Sequence, residues 1–92
     1  MALTIKQALQ RAVEAHNSGD LPAAERMYRA ILQSFPKHPD ANHNLGLIVL
    51  SQSRLRDALS LFKRALEANA DIEQFWLSYV DALVKDNQTK EA

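Results

Sequence analysis

Asn42-His43-Asn44-Leu45-Gly46-Leu47-Ile48-Val49, then Leu55-Arg56-Asp57-Ala58-Leu59-Ser60-Leu61-Phe62, then Ala70, is the stretch whose spacing decides the fold. Leu45, Ile48, Val49 and Gln52 fall three and four residues apart, and so do Leu55, Ala58, Leu59, Phe62, Ala65 and Leu66. Apolar residues at that spacing share one face of an α-helix. The stretch is therefore two helices joined by a short polar turn. A shift of 34 residues in either direction meets the same pattern: Ala58 aligns with Ala24 and Ala92, Phe62 with Tyr28, Leu66 with Leu32, Leu55 with Leu21, and Ala70 with Pro36. In the earlier half of the unit, Gly46 aligns with Ala12 and Val80, and Val49 with Ala15 and Leu83. Small residues fall on small ones and apolar on apolar, which marks a repeat array.

The period divides one domain, residues 1–92, into a first repeat over 5–38, a second over 39–72 and a partial third over 73–92. Helices are expected near 3–17, 21–34, 40–52, 55–68 and 73–86, with a sixth starting near 89. Good helix formers fill these windows. The breaks have local causes. Asn17-Ser18-Gly19-Asp20 contains a residue that tolerates positive φ. Ser53 and Asn87 occupy the position of Gly19 in the later units, and Asn is the next best residue for that conformation. Pro22 suits the first turn of a helix, and Pro36 and Pro39 bracket the joint between units, since neither fits a helix interior.

Composition narrows the function. Apolar residues are 47% and charged residues 24%, and eleven Lys+Arg balance eleven Asp+Glu. A chain without net charge has no long-range field for phosphate backbones or anionic lipid, so neither nucleic acid nor a membrane surface is an expected partner. The longest apolar run, Leu47-Ile48-Val49-Leu50, is too short to span a bilayer. Cysteine is absent, which removes disulfides, thiolate metal sites and a Cys nucleophile, and is compatible with a cytoplasmic setting. Only Gly19 and Gly46 are glycine, so there is no glycine-rich phosphate loop, and no Ser, His and acid grouping has supporting turn chemistry. No catalytic residue, cofactor site or metal site is expected. His38 and His43 are five residues apart across a helix start, so they do not share the i, i+4 face that a helical metal pair needs.

A 34-residue helix–turn–helix unit with Leu45-Gly46, Ala58 and Phe62 in the second unit, Ala24, Tyr28 and Pro36 in the first, and Trp76 and Leu83 in the third resembles the tetratricopeptide repeat. The resemblance covers nearly the whole chain. It departs at Asn42 and Ala70, which stand at the usual Trp and Pro, at Tyr79-Val80, which replaces the Leu-Gly pair, and at Ala8, Arg11 and Ala12 in the first helix. The resemblance implies an all-α, right-handed solenoid of about two and a half repeats. In it, Ala24 and Ala58 would let the second helix of a unit approach the first, Tyr28 and Phe62 would fill space between repeats, and Trp76 would pack in the core. The function it implies is a scaffold that binds a protein or peptide in a concave groove lined by the first helix of each unit. The groove rows would be Lys6, Asp40 and Gln74; Leu9, His43 and Leu77; Gln10, Asn44 and Ser78; and Val13, Leu47 and Asp81.

In related arrays an Asn at the position of Asn44 bonds the backbone of an extended peptide, a role an amide suits because it both donates and accepts. Leu9, Val13, Leu47 and Leu77 are either apolar anchors on that face or half-buried between first helices. Arrays that grip chaperone C-termini need Lys, Arg and Asn on the groove; Leu9, Val13, Gln74 and Ser78 do not match, so that partner class is not expected. Ala24-Glu25-Arg26-Met27-Tyr28-Arg29-Ala30-Ile31-Leu32 and Asn44-Leu45-Gly46-Leu47 are similar to bacterial arrays that precede glycosyltransferase domains, which implies recruitment of a substrate for an enzyme outside this segment. The apolar side of the fifth helix, carrying Trp76, Val80 and Leu83, would be open, which offers a homodimer contact as a further alternative.

Overall fold

A computed structural model describes residues 3–91, with side chains through residue 88. Five helices account for nearly all of it: α1 (Ile5–Asn17), α2 (Leu21–Ser34), α3 (Pro39–Ser51), α4 (Leu55–Ala68) and α5 (Glu73–Glu91). The fold is all-α, two helix pairs and a fifth helix, as the period predicts. Ala92, the expected small residue of a third unit, lies outside the described residues.

Each start has a local cause. Thr4 caps α1: its hydroxyl accepts the Gln7 N–H at 3.1 Å while the Gln7 side chain accepts the Thr4 N–H at 3.0 Å, so two orphan donors are satisfied reciprocally. The Asp20 carboxylate accepts the Ala23 N–H at 3.2 Å and opens α2. His38 Nδ1 accepts the Ala41 N–H at 3.1 Å, with Pro39 in the first turn of α3. No side chain caps α4; Arg54 instead pairs with Asp57 at 2.9 Å and reaches back to Glu25 of α2 at 3.5 Å. The hydrogen bond from Arg29 holds the Glu25 carboxyl below the usual carboxylate range, burial opposing it and Arg54 assisting.

The turns follow the alignment at two of three places. Gly19 has φ +87° and Ser53 φ +61°, both left-handed. At the third, Asn87, the expected turn and the sixth helix beyond it do not form: α5 continues to Glu91. A left-handed residue costs roughly 1–2 kcal/mol unless it is glycine. Among the described residues no helix packs over α5 to repay that cost, and Gln88, Lys90 and Glu91 are good helix formers.

The helices stack in order, α1 on α2, α2 on α3, α3 on α4 and α4 on α5, into a body of 50 × 27 × 20 Å. The core runs along the stack through Ala12, Ala24, Tyr28, Leu45, Val49, Ala58 and Phe62. Small residues permit the close approach. A Cβ built on Gly46 would stand 2.7 Å from Phe62 Cδ1, nearer than real carbons come. Phe62 therefore fills the space between α3 and α4 of its own unit, in a core shared with Tyr28 and Ala82 of the neighbouring units.

Candidate functional site

The twelve residues expected to face a ligand sit at matching register on α1, α3 and α5. Their exposure sorts them. Lys6, Gln10, Asp40, Gln74, Leu77 and Asp81 are exposed; Leu9, Val13, Asn44 and Leu47 are half-buried; His43 and Ser78 are buried. Leu9, Val13 and Leu47 lean on the core, so of the two readings open for the apolar set, half-burial between first helices describes these three. Leu77 stays 54% exposed. The Asp81 carboxylate already holds Lys85 at 2.9 Å.

His43 and Ser78 make a joint instead of a surface. His43 Nε2 and Ser78 Oγ are 2.8 Å apart, linking α3 to α5. The imidazole lies 4.7 Å from the Phe75 ring and 5.6 Å from that of Phe62, centre to centre. Burial pushes its pKa down; the Asn44 amide and the Asp40 charge push the other way. The physical reason for the departure is position: His43 and Ser78, from neighbouring rows, meet where α3 faces α5 before either reaches solvent, so both are consumed by the fold. Ten candidates remain as surface.

Asn44 stands at the centre of those ten. Its side chain bears on two buried groups, the His43 ring and the Tyr28 phenol. The Tyr28 hydroxyl is buried without a hydrogen-bond partner at bonding distance among the described residues, and burial raises its pKa. The Asn44 side chain is only partly withdrawn from solvent.

Trp76 does not pack in the core. It is 47% exposed and its indole N–H donates to the Ala70 carbonyl at 2.7 Å. The reason is the missing cover: Asn42, its equivalent, is fully buried on a helix with neighbours on both sides, whereas among the described residues α5 is the last helix of the stack. The histidines do not converge. His16 meets the Tyr28 ring edge-on at 6.4 Å, His38 caps α3 and His43 serves the joint. Among the described residues no group of three His, Cys, Asp or Glu could hold a metal, and no helix is long and apolar enough to cross a membrane.

One cavity escaped the reading of the sequence. A space of about 300 Å³ opens at the outer edge of α1 and α2, walled by Leu3, Ile5, Ala8, Met27, Ile31 and Phe35. Its signal was present in the alignment. Met27 is equivalent to Leu61, which is buried in the second unit, so an exposed Met27 marks an uncovered edge.

A family model described as the tetratricopeptide repeat matches residues 9–71 and, independently, residues 43–92. The two matches begin one 34-residue unit apart. The chain belongs to the tetratricopeptide repeat family. No curated protein matches it. Tetratricopeptide repeats are scaffolds without catalytic chemistry of their own that mediate contacts between proteins. The joint at His43 and Ser78 is this chain's way of stacking tetratricopeptide units, and the close pair Gly46 and Phe62 its way of packing the two helices of one unit.

Proposed function

We propose that the face shared by α1, α3 and α5 holds an extended segment of a partner protein. The observation that carries this reading is Asn44: a half-buried amide at the middle register of the face, next along α3 to the buried His43. An amide held in place can donate to and accept from one peptide group at once. Gln10 on α1 extends the polar line. Leu9, Val13 and Leu47 supply an apolar floor, and Leu77 an exposed anchor. Lys6 lies at one end of the face, with Asp40, Gln74 and Asp81 along the rest. The mixed charge fits a protein segment better than a nucleic acid, whose binding needs a basic surface.

The test starts from peptides selected against the folded chain from a random display library. Their dissociation constants are then measured by calorimetry against the wild type, Asn44→Ala and the exposed pair Gln10→Ala with Leu77→Ala. Loss of one well-placed hydrogen bond predicts binding about 10-fold weaker for Asn44→Ala. Unchanged affinity in both variants, with unchanged melting curves, would mean that the ligand sits elsewhere.

A further inference from the structure

The chain carries an internal control for what an uncovered face means. On α3, which packs on α4, Asn42, Gly46 and Val49 are all buried, Gly46 against Phe62 of α4. Thirty-four residues on, Trp76, Val80 and Leu83 of α5 are 47%, 51% and 42% exposed. Leu77 and Val84 widen this arc. The opposite side of α5, through Phe75, Ser78 and Ala82, is buried. The exposed arc is thus a helix-packing face by construction, contiguous and without a charged residue among its five members.

Its chemistry narrows the occupant. A second helix of the repeat type brings an aromatic ring onto the small residue opposite, as Phe62 does on Gly46. Val80 stands at that small-residue position, so its branched side chain keeps such a ring out. The arc needs a stripe that brings an aliphatic side chain, not an aromatic ring, onto Val80 at ordinary helix spacing, 8–10 Å between axes. Its own sequence is such a stripe, with Trp76, Val80 and Val84 four residues apart along one line. Among the described residues nothing folds back to cover it: α5 runs straight past Asn87.

We infer that this arc is the contact between two copies of the chain, related by a two-fold axis near Val80. The two α5 helices cross antiparallel, which sets their dipoles head to tail, and Trp76 meets Val84 of the partner subunit. Such an isologous contact closes on itself. Five side chains about half exposed bury on the order of 500 Å² per copy, roughly 1,000 Å² in total, the lower bound for a specific interface. A dimer of modest affinity follows, which shares only Leu77 with the peptide face.

The experiment is sedimentation equilibrium from micromolar to millimolar chain, read together with the emission of Trp76, the only tryptophan. The expected result is a monomer–dimer equilibrium, with the emission shifting to the red on dilution as the indole re-enters water. Val80→Glu and, separately, Leu83→Glu should raise the dissociation constant at least ~10-fold, with helicity by circular dichroism unchanged because both positions are solvent-facing in the single chain. Three outcomes overturn the inference. One is a monomer at every concentration. Another is a dimer indifferent to both substitutions. The third is a mass that grows past two copies, which would point to head-to-tail stacking through the cavity at Leu3 and Phe35.

Discussion

Asn42 and Trp76 stand one repeat apart and make the same hydrogen bond. The Asn42 amide donates to the Pro36 carbonyl at 3.0 Å, and the Trp76 indole to the Ala70 carbonyl at 2.7 Å. In each case the acceptor lies six residues earlier, at the joint between units. Asn42 adds a second bond, to the His38 carbonyl at 3.0 Å. A residue that breaks the family pattern by type keeps it by function.

Asn42→Ala removes both bonds from a fully buried site. Each is worth about 1 kcal/mol net. The loss is partly offset, because Asn42 Oδ1 has no partner in the fold and its removal relieves a buried orphan. The expected cost is ~1–2 kcal/mol, a fall in melting temperature of roughly 5–10 °C for a domain this small. Thermal denaturation followed at 222 nm checks it.

Gly46→Ala sets two effects against each other. Helix propensity favours Ala by about 1 kcal/mol. The added carbon would meet the Phe62 ring at Cδ1 and Cε1, and overpacking costs typically 1–3 kcal/mol. The ring is boxed in by α3 and cannot move away freely, so the clash should win and the variant should be less stable. In a Phe62→Leu background the same substitution should cost less. A denaturant double-mutant cycle gives the coupling, and simple additivity would show that the ring yields easily.

Ser53→Gly acts on the turn between α3 and α4. Ser53 holds φ +61° where the first unit has Gly19. Glycine relieves the left-handed strain but adds freedom to the unfolded chain, about 0.5–1 kcal/mol against it. A net gain of up to ~1 kcal/mol is expected. A lower urea midpoint than wild type would contradict it.

The buried His43 makes stability depend on pH. Its folded pKa lies below the ordinary 6.5, so below pH 6.5 the unfolded chain binds more protons than the folded one. The contribution is full above about pH 6.5 and is lost as pH falls toward the folded value. Glu25, also depressed, acts the same way but below its ordinary 4.5. The melting temperature should therefore fall from pH 7.5 to 5, and His43→Gln should flatten that slope. Equal slopes in the two proteins would exclude His43 as the cause.

The period was fully legible because it is written many times over: Ala24 with Ala58, Tyr28 with Phe62, Leu32 with Leu66. Helix ends were legible within two residues wherever Gly19 or a proline marked them. The end of α5 was not. Asn87 is a turn residue only when a following helix repays the turn, and that is a tertiary condition no local pattern states. The ligand face was half legible. Register placed the twelve residues on one side of α1, α3 and α5, but burial of His43 and Ser78 depends on a side-chain pair 35 residues apart. Trp76 was misplaced for a like reason, since an indole at a core position is buried only if something covers it.

The nearest-neighbour stacking of the helices sets how the molecule opens. α3 has helices on both sides and buries seven of its thirteen residues; α1 buries Ala12 alone. In a linear stack, local opening starts at the ends and moves inward. Backbone amides of α3 should then exchange with solvent deuterium last, and those of α1 and the far half of α5 first. Pulled from its termini, such a chain would yield like a zipper, one helix pair at a time.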